Sequence, residues 1–233
     1  MERPKFRRHA IRLWKNWGRP MLPILVVITG IRSAVADWSD VPTGSMKPSI
    51  LEGDRVVINK LAYSLRFPLT LWHLLELGEP ARGDVVVFKS PHDGKRLVKR
   101  VVAVAGDSVE MRNNELWING APIGYEPVDA EMLAEVAGEL PAASRVASEA
   151  LPGHPHPVMA LPGRPALRSF DPVVVPADHF FALGDSRDDS FDSRFFGPVH
   201  RSQLFGRATH VAFSVDRDHY HLPRWNRFFQ AMP

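Results

Sequence analysis

Alternation of hydrophobic and polar positions dominates this chain. Asp54 to Asn59 (DRVVIN), Asp84 to Phe88 (DVVVF) and Leu97 to Val104 (LVKRVVAV) are dense in β-branched residues and bounded by Gly, Pro or Asp. That composition at period two predicts β-strands. Glu115 to Gly120 (ELWING) predicts a strand running into a turn, and Phe180 to Asp185 (FFALGD) repeats the pattern. Ala208 to Val215 is a last candidate strand. The chain is therefore expected to be mainly β.

Two stretches depart from alternation. Leu61 to Gly78 is rich in Leu but broken by Arg66, Pro68, His73 and Glu76. The breaks exclude a membrane span and leave a core-facing helix or a membrane-touching element. Residues 121–177 are rich in Pro and Ala with little periodicity, which predicts an insertion of long loops with a helix at Asp129–Leu140. Within it, His154-Pro155-His156-Pro157 reads as a solvated turn, and His219 and His221 further on lack a third metal ligand.

The N-terminus follows a third pattern. Residues 1–20 carry seven basic side chains against Glu2 alone, whereas the whole chain is only +3. Nucleic-acid binding would explain such an arm, but no recognition motif accompanies it. Instead Met21 to Ile31 (MLPILVVITGI) is an uncharged run, with Trp14, Trp17 and Trp38 placed as interfacial aromatics. A helix from Met21 to Ala36 reaches about 24 Å at about 1.5 Å per residue, against a hydrocarbon core of about 30 Å. It would be a short single-pass anchor, with the basic side cytoplasmic and the rest of the chain outside. The same segment, ending in Ala34-Val35-Ala36, also fits a cleaved signal peptide. The latter option gives a secreted β-domain that binds a partner.

Composition narrows the chemistry. Hydrophobic residues make up 45% of 233, enough for one domain or one with a large insertion, and too many for a disordered chain. The absence of cysteine removes thiol nucleophiles, cysteine-based zinc sites and disulfides.

Pro42-Thr43-Gly44-Ser45-Met46-Lys47-Pro48-Ser49 follows the apolar segment. A serine hydroxyl needs a base to become a nucleophile. A desolvated lysine can serve, because burial disfavours the ammonium. Of the lysines after Ser45, only Lys99 sits inside an apolar strand, and alternation places it on one face with Leu97, Val101 and Ala103. Arg100 stays charged and cannot replace it. An edge-strand lysine guarding against aggregation has the same pattern. Ser45-Met46-Lys47 lacks the S-x-x-K spacing of β-lactamases, and no DNA-binding module suggests a self-cleaving repressor. A third segment, Gly184 to Arg194 (GDSRDDSFDSR), interleaves acids, hydroxyls and arginines without the spacing of a calcium loop. Interlocking Asp–Arg pairs suit it.

In this order, PTGSMKPSI with LEGDRVVINK, RGDVVVF, LVKRVVAVAGD and GDSRDDSFDSRFFGPV resemble the boxes of the bacterial type I signal peptidases. The resemblance implies an antiparallel β catalytic core of that type (38–107 and 179–217), an inserted second domain (108–178), a C-terminal tail (218–233), a cytoplasmic arm (1–20) and one membrane helix (21–37). It implies a serine endopeptidase of the plasma membrane that removes signal peptides from preproteins after small residues at −1 and −3. Ser45 would be the nucleophile and Lys99 the general base. Thr43 and the Ser45 N–H would form the oxyanion hole, and Ser190 would orient Lys99. Asp192 and Arg194 would pair, with Asp185 and Arg187 nearby. Val41, Met46, Ile50, Val56, Val87, Leu97 and Val98 would line apolar substrate pockets. The lipid bilayer and preproteins are the implied partners; no metal, cofactor or nucleic acid is called for.

Overall fold

A computed structural model describes residues 12, 14–66, 73–217 and 219–232. A π-helical turn at Trp14–Gly18 leads into α1 (Arg19–Ala34). The strands then run β1 (Ala36–Asp40), β2 (Asp54–Asn59), β3 (Ser64–Arg66), β4 (His73–Glu76), β5 (Val85–Lys89) and β6 (Arg96–Val104). There follow β7 (Ser108–Arg112), β8 (Glu115–Ile118), β9 (Ala121–Pro122), β10 (Tyr125–Glu126), α2 (Ala130–Val136), β11 (Arg145–Glu149), β12 (His156–Ala160) and β13 (Phe170–Val174). The chain closes with β14 (His179–Leu183), α3 (Ser193–Phe196), β15 (Val199–His200), β16 (Leu204–Asp216) and β17 (Leu222–Pro223).

The main sheet has the order β1-β2-β16-β5-β6-β14-β15, with β17 beside β16, and its pairs are antiparallel. Chain-distant strands therefore meet: β16 lies between β2 and β5. Two smaller sheets, β13-β7-β8-β9 and β10-β11-β12, come from residues 108–174. An apolar cluster containing Val102, Ala103, Met111, Leu116, Phe181 and Leu183 joins the main sheet to the four-stranded one. A second centres on Val86, Phe88, Val101 and Phe180, and a third on Met46, Ile50, Val56 and Val87. β6 is buried on both faces from Lys99 to Ala103, as its nearly continuous apolar run requires.

Three expectations change. The span at 21–37 is replaced by the 16-residue α1, which contains Pro23, and among the described residues no helix is long and apolar enough to cross a membrane. The reason is local: Arg32 ends the uncharged run, and from Ala36 the backbone is drawn into pairing with β2. The helix weighed for Leu61–Gly78 is a one-turn helix at Lys60–Ala62 followed by the β3–β4 hairpin. Phe67 to Trp72 lie outside the described residues. The solvated turn at 154–157 is instead the start of β12, with His156 buried. The helix at 129–140 forms as α2 plus a short turn, with the Asp129 carboxylate capping the Glu131 N–H.

Candidate active site

Ser45 sits in a single turn of 3₁₀ helix, Gly44–Met46, closed by Lys47 N–H donating to the Gly44 carbonyl at 3.0 Å. Thr43 precedes it in extended backbone, exposed, and its hydroxyl does not cap the turn. Behind the turn, Ser186 N–H donates to the Ser45 carbonyl at 3.1 Å. Gly184 makes that approach feasible. A Cβ there would lie 2.5 Å from the Ser45 carbonyl oxygen and 2.3 Å from Ser190 Oγ, so no larger residue fits.

Lys99 projects from β6 opposite Val86 on β5. Val86 packs with Leu97 and Val101, while Val98 packs with Val87 in another cluster. The lysine is 3% exposed, and its Nζ lies 2.5 Å from Ser45 Oγ. Burial lowers its pKa to about 8, against the pull of Asp192, Asp185 and Asp189, with Arg194 acting in the same direction as burial. A proton can pass between this amine and this hydroxyl without either group moving.

The Gly184–Arg194 segment supports the pair. Asp192 takes a bidentate contact from Arg194, Nε and Nη2 each at 2.8 Å, and also accepts from Gly184 N–H at 3.0 Å. Burial opposes its charge, but Arg194 together with the Gly184 N–H and Ser190 holds its pKa below the usual carboxylate range. Ser190 stands beside this pair. Its buried hydroxyl makes no hydrogen bond to Lys99 or to another group at strict geometry, though it is near enough to Asp192 to favour that carboxylate. The expected Ser190–Lys99 bond is thus not formed here, because the amine is turned to Ser45.

Asp185 does not pair with Arg187. It receives Arg100 in a fork, Nε at 3.0 Å and Nη2 at 2.8 Å, together with the Ser49 hydroxyl at 2.5 Å. Arg187 pairs with Glu149 of β11 at 2.8 Å, and Glu149 also accepts from Tyr125 at 2.7 Å. His156 fills the gap between Glu149 and Asp185. Burial and then the nearby Arg100 push its pKa down to about 4, so it is neutral at pH 7. Sequence reasoning missed Arg100, Ser49, Glu149 and His156. A signal existed for Arg100: an arginine inside an apolar strand needs a buried carboxylate.

Val41, Met46, Ile50, Val56 and Val87 form one buried cluster, with Val98 packed at its partly exposed edge. Leu97 is set apart from them, in the cluster of Phe88 and Val101. Strand alternation sends its side chain to the opposite face from Val98.

The chain's relatives define a hydrolase of the peptidase class. A family model described as signal peptidase, peptidase S26, matches residues 14–213. A signal peptidase I from Pseudomonas fluorescens is 32% identical over 225 residues, covering 91% of this chain and 77% of the relative. One from Pseudomonas aeruginosa matches to the same extent, and a probable signal peptidase I-2 from Synechocystis is 29% identical over 203 residues. A solved signal peptidase I from Enterococcus faecalis, 30% identical, superposes with a TM-score of 0.35 over 57% of this chain and 98% of that one. The chain belongs to the signal peptidase family, peptidase S26.

Proposed function

We propose that this enzyme removes signal peptides from preproteins, with Ser45 as nucleophile and Lys99 as general base. The 2.5 Å contact between Lys99 Nζ and Ser45 Oγ, made by a lysine whose burial favours the neutral amine, carries this reading. Neutral Lys99 takes the Ser45 proton as Oγ attacks the scissile carbonyl. The oxyanion is held by the Ser45 N–H and the Thr43 hydroxyl, each such donor worth about 3–4 kcal/mol. The leaving amine takes the proton from Lys99. A water deprotonated by the same amine then resolves the acyl-enzyme. Asp192 and Arg194, with Ser190, hold the lysine's surroundings.

The apolar cluster of Val41, Met46, Ile50, Val56 and Val87 forms the floor of a shallow subsite, with Val98 at its rim. A floor already filled by side chains admits only small residues, which suits Ala at −1 and −3. Preprotein cleavage tests this directly: cutting at one bond is expected when −1 and −3 are Ala, and none when −1 is Leu. Cleavage indifferent to the −1 residue would overturn it. The reaction also has a pH signature. Only the neutral amine is a base, so kcat/KM rises with pH and levels off above about 8. A limb centred near the ordinary lysine value of 10.5 would contradict the buried-amine mechanism.

Membrane association is part of the same proposal. On α1, Leu22, Ile24, Leu25 and Ile28 are exposed, after the exposed Trp14 and Trp17. An apolar helix behind a basic arm engages an anionic bilayer surface. Holding enzyme and membrane-held substrate on one surface raises their effective concentration. In a flotation assay the full chain is expected to rise with anionic vesicles, and residues 37–233 to rise far less. Equal flotation of both would assign binding to the sheet domain alone.

A further inference from the structure

Beyond the family-matched residues 14–213, the segment 219–232 folds back onto the Ser45 loop. Val211 N–H donates to the Gln230 carbonyl and Met232 N–H to the Thr209 carbonyl, so the tail runs beside β16. Its one-turn helix at Trp225–Arg227 leaves Trp225 and Phe229 73% and 79% exposed, but turns Arg227 inward to 3%.

The partners of Arg227 are specific. Nη2 donates to Asp54 Oδ2 at 2.7 Å and to the Ser49 carbonyl at 3.1 Å, and Nε to Asp54 Oδ1 at 3.2 Å. Asp54 in turn accepts the Leu51 N–H at 2.8 Å. Arg224 adds a second tether, donating from Nη1 to the Glu52 carbonyl at 3.0 Å and from Nε to Glu139 at 2.7 Å. Ser49 to Asp54 is the return limb of the loop whose outward limb carries Ser45. Before β2 it touches the sheet at Gly53, whose carbonyl accepts from Val215 N–H at 3.2 Å, and a cleft of about 320 Å³ lined by Pro48, Ser49, Val136, Arg227 and Met232 lies behind it. On its inner side the limb is held by the Ser49 hydroxyl on Asp185 and by buried Ile50; on the side of the cleft its position depends on the two tail arginines.

We infer that Arg227, assisted by Arg224, is a positioning residue for Ser45, acting through Asp54 and the Ser49–Glu52 backbone. The inference rests on the Ser45–Lys99 reading. A nucleophile displaced by about 1 Å costs about a hundredfold in rate, whereas the substrate floor shares Val41, Met46 and Ile50 with this loop but keeps Val56 and Val87 fixed on β2 and β5. The loss therefore falls more on kcat than on KM.

The test compares the full-length wild type with Arg227→Lys and Arg224→Gln, assayed on a preprotein well below each melting temperature. Lysine keeps a charge for Asp54 but lacks the fork that also reaches the Ser49 carbonyl. Arg227→Lys is expected to lower kcat about tenfold to a hundredfold, with a clearly smaller change in KM. The acid limb of its pH profile moves upward, because a loosened loop admits water to Lys99. Arg224→Gln, which leaves Arg227 and Asp54 paired, changes both in the same direction by less, and it carries the test if Arg227→Lys does not fold. Wild-type kcat per folded molecule and an unmoved limb in the folded variants overturn the inference, even if they melt early. Wild-type cleavage that does not depend on Ser45 sinks the underlying reading instead.

Discussion

Ser45→Ala is expected to abolish preprotein cleavage while leaving the far-UV spectrum and melting temperature close to wild type. Removing a nucleophile of this kind costs about 10⁶-fold in turnover. Lys99→Ala is expected to cost about 10²–10⁴-fold, the worth of a positioned general base. Ser45 is half-buried at a loop turn, so its hydroxyl is not part of the packing. Lys99 is different: alanine removes a buried amine and leaves a void against Val86, so a stability change accompanies the loss of rate. Lys99→Arg separates the two effects. It fills the space but stays charged at every accessible pH, and is expected to be as inactive as alanine. Single-turnover assays for acyl-enzyme, with circular dichroism as the folding control, decide the matter. Activity retained in any of the three would remove the pair from the mechanism.

The second large effect concerns stability. Arg100 and Asp185 are both almost completely buried and joined by two hydrogen bonds. Burial raises the cost of the Asp185 charge, but Arg100, with His156 and the Ser49 hydroxyl, keeps the pKa below the ordinary range. Arg100→Met leaves that carboxylate without its cation, which costs about 3–5 kcal/mol for a buried pair broken on one side. Arg100 also donates to the Gly83 carbonyl at 3.0 Å, so that group loses a partner too. Adding Asp185→Leu is expected to restore most of the loss, because two apolar residues leave no unpaired charge. Urea unfolding of the two single variants and the double one measures this as a cycle. Additive losses would mean the pair is not coupled.

Much of the main sheet was legible in the sequence. β2 forms over Asp54–Asn59 as alternation predicts, and β5, β6 and β14 lie within a residue or two of expectation. These segments are buried, so apolar spacing reports their geometry directly. Apart from the helix at 129–140, residues 121–177 were not legible. β11 and β12 contain Arg145, Glu149, His156 and Pro157, and their pairing is held by a buried polar cluster rather than by an alternating apolar face. The site divides in the same way. Lys99 stood out because a strand surrounds it with Leu97 and Val101. Arg100 stood next to it without declaring its partner, since Asp185 is 85 positions away. Arg227 gave no sign at all: its role depends on the tail reversing direction against β16, which no local pattern encodes.

One consequence of the sheet's first strand concerns the enzyme's own exposure to attack. Ala34-Val35-Ala36 has small residues at the two positions the proposed subsite would read, after an apolar run and a basic arm. Yet the Val35 carbonyl accepts from Lys60 N–H at 3.0 Å, Ala36 stands opposite Asn59, and Asp37 opposite Ile58 with its carboxylate 3.4 Å from Lys60. Peptide recognition along an extended backbone requires free N–H and C=O groups. While β1 remains zipped to β2, this stretch is held in the sheet on one side and can offer only its outer edge. Whatever protection the segment has from sister copies thus comes from one side of a single edge strand, and it lasts as long as that pairing does not fray.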